Sequence, residues 1–259
     1  MKIVVLVKQV PDSSLDRHLS TDDFTVDRAS ASNVINEIDE HAIEAALKLV
    51  EEHGGDITLL TVGPDHATES IRKALSMGPD AAVHVVDDAI AGSCAVSTSK
   101  VLAAALKDQE YDLVLCGAES TDGGVQSMPH MLSARLGVAA LTGAREMSID
   151  GDKVLVERQT EDGYEKLAAA KPAIVSVWDS MNQPRYPSLK GIMSAKRKPI
   201  EVKSLSDIGV DASEVGAGAA TSQVVDAQPR PPREAGVRVT DEGEGGTELA
   251  NYLASQKFV

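Results

Sequence analysis

This chain of 259 residues is poor in aromatic side chains, cysteine and long hydrophobic runs, and each shortage excludes a class of protein. Aromatic residues make up only 3% of it, so Ala, Val, Leu and Ile must fill the core. The two cysteines, Cys94 and Cys116, lack CxxC spacing, which argues against a disulfide framework and favours a reducing compartment. No apolar run approaches the roughly 20 residues that a membrane-spanning helix needs, and residues 3–7 are too few for a signal peptide. We therefore expect a cytoplasmic protein that is not embedded in a membrane.

Basic residues are also scarce, since 25 Lys and Arg stand against 40 Asp and Glu, for a net charge of -15. A surface of this sign repels nucleic acids and anionic membranes, which excludes both as general partners. An acid-rich surface is also one adaptation to high salt, so a halophilic source is a hypothesis. The sequence has no GxGxxG, GxxxxGK[ST], HExxH or GxSxG motif, and its histidines lack ligand spacing, so we predict no metal site.

Short apolar runs rich in β-branched residues alternate with segments of helical periodicity over most of the chain. The runs predict strands at residues 3–7, 57–62, 81–86, 113–116 and 173–177. Helices are predicted at residues 36–53, 67–77, 93–107 and 126–136, and a hairpin joins residues 146–149 and 154–159 across Asp150-Gly151. This alternation predicts an α/β fold with a doubly wound, mostly parallel, Rossmann-like sheet.

Ligands of such sheets bind at the carboxyl ends of the strands, where residues 8–12, 63–66 and 117–126 are expected to lie. Residues 117–126, here called the glycine loop, are the best small-molecule candidate. Their glycines allow close backbone approach, and their hydroxyl groups and the following helix N-terminus offer donors to a phosphate. An ordinary glycine-rich turn is the alternative. For Asn36 the spacing favours a helix cap, and an amide that points into the crevice is the alternative.

Residues 182–199, here called the docking segment, follow the strand predicted at 173–177. Three prolines predict that the segment is neither a helix nor a central strand. Four apolar or aromatic side chains and then three adjacent cations stand out in an acidic protein, which suggests a docking surface. They are Tyr186, Leu189, Ile192, Met193, Lys196, Arg197 and Lys198.

Beyond about Asp179 the regular periodicity fades. Residues 217–220 are of low complexity, residues 229–233 are proline-rich, and residues 247–258 predict a short terminal helix. A segment with so little core is not expected to be stable alone, so we predict an arm laid over another subunit, with a solvated tail as the alternative. We accordingly divide the chain into an α/β nucleotide-binding domain, 1–179, and a docking segment with C-terminal arm, 180–259.

Nearly the whole chain resembles the β subunit of electron transfer flavoprotein. The QPRYPSL sequence of residues 183–189 and the PPREAG sequence of residues 231–236 are the most specific matches. The others are weaker singly and occur in the family's order: residues 7–12, 36–46, 74–80 and 112–117, with Asp122. The chain departs from the family at Asn36-Glu37, where Asn-Pro is usual, and at Gly124 and Gln126.

The resemblance implies a heterodimer with an α subunit that carries most of a redox FAD. It also implies an adenine nucleotide in the crevice of the β subunit, either AMP or, in bifurcating members, a second FAD. Electrons would come from an acyl-CoA or other dehydrogenase, or from NADH in a bifurcating version, and leave to a quinone reductase. Carried over by position, the nucleotide site is Val7, Lys8, Asn36, Asp39, Val62, Asp122, Gly123, Gly124, Val125, Gln126 and Ser127.

The docking segment matches the family's recognition loop, which anchors dehydrogenases through a leucine. Leu189 would be that anchor, Tyr186, Ile192 and Met193 would surround it, and the three cations would steer an acidic partner. Packing of Leu189 on the chain's own α subunit is the alternative. Two other functions compete: a stand-alone adenine-nucleotide-binding or hydrolysing protein, and a purely structural subunit with an empty crevice.

Overall fold

The computed structural model describes residues 1–228, 230–233, 236 and 238–259, which divide into two compact units, Met1–Val225 and Asp226–Val259. The strands of the first unit are β1 (Lys2–Leu6), β2 (Gln9–Pro11), β3 (Asn33–Ile35), β4 (Asp56–Val62), β5 (Ala81–Val85), β6 (Leu113–Gly117), β7 (Ala139–Asp150), β8 (Lys153–Thr160), β9 (Gly163–Ala170), β10 (Ala173–Val177) and β11 (Ile200–Lys203). Its α-helices are α1 (Glu37–His53), α2 (Thr68–Met77), α3 (Ala95–Lys107), α4 (Met128–Leu136) and α5 (Leu189–Ala195).

Nine strands form one sheet in the order β11-β5-β4-β1-β6-β10-β7-β8-β9, and β2 pairs with β3 beside it. The strands from β11 to β7 are parallel, and β8 and β9 extend the sheet in antiparallel fashion. The prediction of a doubly wound, mostly parallel sheet is therefore confirmed. The chain runs outward from β1 through β4 and β5 on one side and continues with β6 on the other. This reversal leaves a crevice beyond the ends of β1 and β6.

The core lies on both faces of this sheet. Successive side chains of a strand point to opposite faces, so β1 divides its side chains between two clusters. Ile3 and Val5 belong to the cluster that includes α1 and α2, and Val4 and Leu6 to the one that includes α3 and α4. Each fully buried aliphatic side chain stabilises the fold by about 1.5–3 kcal/mol, so the central strands give the crevice edge a stable base.

The docking segment contains a helix, and the prediction that it could not was wrong. Pro184 and Pro187 lie before α5 and Pro199 lies after it, so none removes a hydrogen bond from the helix interior. The Ser188 hydroxyl caps the helix by accepting a hydrogen bond from the Gly191 N–H at 3.0 Å. The prolines thus delimit a short helix that they were expected to exclude.

The predicted hairpin is confirmed, since Ile149 pairs with Val154 across Asp150-Gly151. A third strand, β9, follows β8 across the two-residue turn Glu161-Asp162 and was not predicted from the sequence. β11 joins the main sheet beside β5 although it follows Asp179 in sequence. The division of the chain at residue 179 stays a prediction.

The second unit contains one further helix, α6 (Gly245–Ser255), in agreement with the predicted terminal helix. The proline-rich and PPREAG motifs fall partly outside the described residues, at Pro229, Glu234 and Ala235. Within the part of the chain that the structure describes, every helix is too short or too polar to cross a membrane.

Candidate functional site

Asp39 is a buried carboxylate in the first turn of α1 that ties two strand ends together. Its Oδ2 accepts a hydrogen bond from the Lys8 N–H at 2.8 Å, and its Oδ1 accepts one from the Gly117 N–H at 3.2 Å. A Cβ at position 117 would lie 2.6 Å from Asp39 Oδ1, so this approach requires glycine. Burial raises the pKa of Asp39 to about 7, although both N–H groups favour the charged form. Asp39 therefore fixes the ends of β1 and β6 at the crevice.

Asn36 occupies the N-cap position of α1, as predicted, but its side chain makes no capping hydrogen bond and points into the crevice instead. Its Nδ2 donates to the Glu119 carbonyl at 2.9 Å, and its Oδ1 accepts from the Thr121 N–H at 3.1 Å. Its own N–H donates to the Lys8 carbonyl at 2.9 Å. The buried amide thus holds the glycine loop against the end of β1.

Asp122 lies in the glycine loop between two cations. Its carboxylate accepts from Lys8 Nζ at 2.7 Å and from Arg28 Nε at 2.7 Å, and Lys8 Nζ also donates to Ser120 Oγ at 3.1 Å. Burial alone would raise the pKa of Asp122, but the charges and hydrogen bonds of Lys8 and Arg28 outweigh it and lower the pKa to about 2. Asp122 is therefore ionised, and it faces two cations at this end of the crevice.

The other predicted crevice residues surround this network without joining it. Val7 directly follows β1 and Val62 ends β4 at the same edge, and the Val7 N–H donates to the Leu60 carbonyl at 3.0 Å. The rest form the exposed turn that leads into α4, where Gly124 has a φ of 59° and Gln126 Nε2 donates to Glu119 Oε2 at 3.0 Å. These remaining residues are Gly123, Gly124, Val125, Gln126 and Ser127.

Two arginines at the crevice were missed by the sequence interpretation. Arg28 contacts Asp122, and Arg17 donates to the Thr121 carbonyl. Both lie in the segment between β2 and β3, where no site residue was predicted. The presence of two cations within a markedly acidic loop was the signal in the sequence that marked them.

The docking segment is clamped to α1 by polar contacts, of which those with Glu44 and His41 are partly buried. Arg185 Nε donates to Glu44 Oε2 at 2.7 Å, Arg185 Nη2 donates to Glu44 Oε1 at 3.1 Å, and Arg185 Nη2 also reaches Glu51 Oε2 at 3.2 Å. Asn182 Nδ2 donates to the His41 carbonyl at 3.0 Å. Because Glu44 is buried, its bidentate pair with Arg185 is the strongest part of the clamp.

Cations of α2 and of the end of the docking segment satisfy carbonyl groups at the C-terminal ends of α5 and α2. Lys198 Nζ donates to the carbonyls of Leu75 and Gly78 at 3.0 and 2.9 Å, at the end of α2. Arg72 Nη1 donates to the carbonyls of Ala195 and Lys198 at 2.7 and 2.6 Å, at the end of α5. Cations are favourable at both places because helix C-termini carry partial negative charge. The Lys198 ammonium is thus engaged in helix packing, and its role in steering a partner stays a prediction.

The apolar side chains of the docking segment face solvent. Tyr186 is 92% exposed and Leu189 is 82% exposed, and Ile192 and Met193 are exposed beside them. Lys196 and Arg197 are exposed at the end of α5. An open groove of about 660 Å³ adjoins the helix, lined by Lys190, Met193, Ser194, Arg197, Lys198 and Pro199. Large apolar side chains that remain uncovered on a firmly held base are typical of a surface that binds a partner.

Comparison with known proteins identifies the family. Residues 23–208 match the electron transfer flavoprotein domain. The chain belongs to the electron transfer flavoprotein family. An electron transfer flavoprotein subunit beta from Mycobacterium bovis is 47% identical over 99% of both chains. One from Bacillus subtilis is 36% identical over the full length of both.

The caffeyl-CoA reductase-Etf complex subunit CarD of Acetobacterium woodii is also similar, at 33% identity over 99% of this chain and 97% of CarD. These matches confirm the resemblance to the β subunit of electron transfer flavoprotein that the motifs indicated. Two regions of this flavoprotein chain now stand out, namely a polar crevice at the sheet reversal and an apolar docking segment on α1 and α2.

Proposed function

We propose that this chain is the β subunit of a heterodimeric electron transfer flavoprotein in the cytoplasm. In this role it passes electrons from dehydrogenases through FAD to a quinone reductase or another acceptor. The observation that carries the proposal is the similarity to named β subunits over 99% of both chains. The similarity to a subunit of a reductase-Etf complex supports dehydrogenases and reductases as partners.

The α subunit is the proposed partner of the C-terminal arm. The second unit exposes Leu249, Tyr252, Phe258 and Val259, all large apolar side chains. Such side chains lose contact with water when a partner covers them, which stabilises the complex. Removal of residues 226–259 should therefore abolish co-purification with a co-expressed α subunit. A truncated chain that still co-purifies would contradict this part of the proposal.

The crevice is the proposed site of AMP or of a second FAD. Its residues fit a phosphate-bearing ligand, because Lys8 and Arg28 supply positive charge and Gly123 and Gly124 leave their backbone accessible. Thr121 Oγ1 is buried there with no hydrogen-bond partner among the described residues. A bound FAD would supply the redox chemistry, and the residues of this chain would bind and orient the nucleotide.

The test is to co-express the chain with its α subunit, denature the pair and quantify the released cofactors. One FAD with AMP indicates a simple carrier, and two FAD without AMP indicate a bifurcating one. A pair that releases FAD but no second nucleotide would favour the structural-subunit hypothesis for the crevice. A purified chain that remains monomeric and hydrolyses ATP would contradict the electron-carrier proposal and favour the stand-alone nucleotide hydrolase.

A further inference from the structure

We propose that Arg28, together with Lys8, binds the phosphate of the adenine nucleotide, so that the loop of residues 12–32 forms the second wall of the crevice. This inference rests on the nucleotide site of the proposed function. It assigns a specificity-determining role to a residue outside the glycine loop. The ligand class that it favours is a nucleotide that carries a phosphate, as opposed to a nucleoside.

The loop of residues 12–32 holds Arg28 in a defined place. Its ends are joined by a hydrogen bond from the Asp12 N–H to the Ser32 carbonyl at 2.8 Å. A bridge between Leu19 and Val26 ties its two arms together. The contacts of Arg28 and Arg17 with residues 121 and 122 then fasten the loop to the glycine loop. Arg28 is thus presented at the crevice by a closed loop that is attached at both ends.

The charges at this end of the crevice favour an anion. Lys8 and Arg28 approach the two oxygens of the Asp122 carboxylate, which neutralises only one of the two positive charges. The Asp122 side chain has no exposed surface, whereas the Lys8 and Arg28 side chains are 42% and 44% exposed. Solvent and ligand therefore meet the cations and not the carboxylate. Arg17 adds a further positive charge in a chain whose net charge is -15.

The guanidinium of Arg28 also has hydrogen-bond donors to spare. Only its Nε is used on Asp122, and its two Nη groups have no partner among the described residues. A guanidinium presents such donors as a planar fork that matches two phosphate oxygens. The accessible backbone at Gly123 and the buried Thr121 hydroxyl lie in the same loop as Asp122. Fixed position, surplus positive charge and spare donors together point to Arg28 as a phosphate ligand.

The decisive measurement is calorimetric binding of AMP and of adenosine to the co-expressed heterodimer after its adenine nucleotide has been removed. For Arg28→Gln we expect about a tenfold loss of AMP affinity, because a charged hydrogen bond to the phosphate is removed, and no more than a twofold change for adenosine. Arg28→Lys keeps the positive charge but not the planar pair of donors, so its AMP affinity should lie between that of the wild type and that of Arg28→Gln. Arg158→Gln, which breaks a partly exposed pair with Glu165 on the β8–β9 hairpin, is the matched control and should change neither affinity.

Equal losses of AMP and adenosine affinity would show that Arg28 only holds the loop in place, and an unchanged AMP affinity would exclude phosphate binding. Either result overturns the inference while the proposed function stands. If the wild-type heterodimer binds neither probe, the inference fails, and release of a second FAD from the untreated heterodimer would show that the proposed function still stands. Should Arg28→Gln not assemble, Arg28→Lys decides the question, because a selective loss of AMP affinity supports the inference and an unchanged affinity overturns it.

Discussion

The crevice and the docking segment are built in opposite ways. In the crevice the charged and polar side chains of Asp39, Asn36 and Asp122 are covered and bonded to backbone groups or cations. In the docking segment the polar side chain of Arg185 binds Glu44 of α1, and the apolar side chain of Leu189 is exposed to solvent. A small ligand needs donors that are fixed beforehand, whereas a protein partner needs uncovered apolar surface on a firm base. The same chain thus contains a site whose framework is hydrogen-bonded before a ligand binds and a surface whose apolar side chains are covered only when a partner binds.

The difference implies that substitutions of the buried crevice residues should destabilise the fold, whereas substitutions of the exposed apolar residues of the docking segment should affect only binding. The largest effect on stability is expected for Asp39→Ala. It leaves the buried N–H groups of Lys8 and Gly117 without an acceptor, at a cost of about 3 kcal/mol in the free energy of unfolding. Urea denaturation of the variant measures the loss. Asp162→Ala in the exposed turn between β8 and β9 is the control, and a similar loss there would contradict the assignment.

Asp39 also predicts a pH dependence. Its pKa is about 7 in the folded chain and 3.8 ordinarily, so between these values the folded chain keeps a proton that the unfolded chain has lost. The contribution of Asp39 to stability therefore falls as the pH rises from about 4 to about 7. Asp39→Asn has no such proton, so its stability relative to the wild type should rise over that window. Urea midpoints at several pH values test this, and a difference that does not vary with pH would refute it.

Leu189→Ala should weaken binding of the partner dehydrogenase by about 2 kcal/mol, or roughly 30-fold, and slow electron transfer at low partner concentration. The heterodimer should remain folded and yellow, because the side chain is exposed and contributes little to the core. Val202→Ala, on the exposed edge strand β11, removes a comparable apolar group outside the docking segment and should leave the transfer rate unchanged. Transfer at the wild-type rate in Leu189→Ala would mean that Leu189 is not the anchor.

Arg185→Ala should affect both properties, which makes it the link between the two regions. The substitution leaves the buried Glu44 carboxylate without its cation, which destabilises the fold. Because Arg185 is partly exposed to solvent, the loss in the free energy of unfolding should be moderate, about 2 kcal/mol. Partner affinity should also fall, because the docking segment that carries Leu189 is no longer held against α1 by Arg185. Glu44→Gln with Arg185→Ala should recover part of the stability but not the affinity. Recovery of both by the double variant would show that the clamp does not position the docking segment.

The smallest effects separate two neighbouring cations. Lys198→Ala removes the ammonium that caps α2 and should cost about 1 kcal/mol of stability. Arg197→Ala, which is exposed, should leave stability unchanged and reduce only the rate of partner association at low salt. Stopped-flow association at two ionic strengths and thermal unfolding distinguish these outcomes. Equal losses of stability in both variants would contradict the assignment of Lys198 to helix packing and of Arg197 to partner association.

The parts of the fold that were predictable depend on local pattern. The buried run at residues 3–7 and the turn at Asp150-Gly151 carry their structure in a few adjacent residues, and the sheet and hairpin followed from them. Helix α5 was not predicted, because the three prolines of the docking segment argued against a helix although they all lie outside α5. The strand β11 has only four residues and takes its hydrogen bonds from β5, so its own sequence gives little indication of it.

The sequence by itself determined the layered α/β fold, the crevice edge and the composition of the docking segment, because hydrophobic period and turn residues act over short distances. Only the tertiary structure decided which side chains do what within these regions. Arg28 meets Asp122 across 94 residues, and Asn36 joins the glycine loop across 85. The packing of the sheet and helices sets such pairings, and it also turned Lys198 from a surface cation into a helix cap. Burial and hydrogen-bond satisfaction are properties of the folded chain, and local sequence carries no direct record of them.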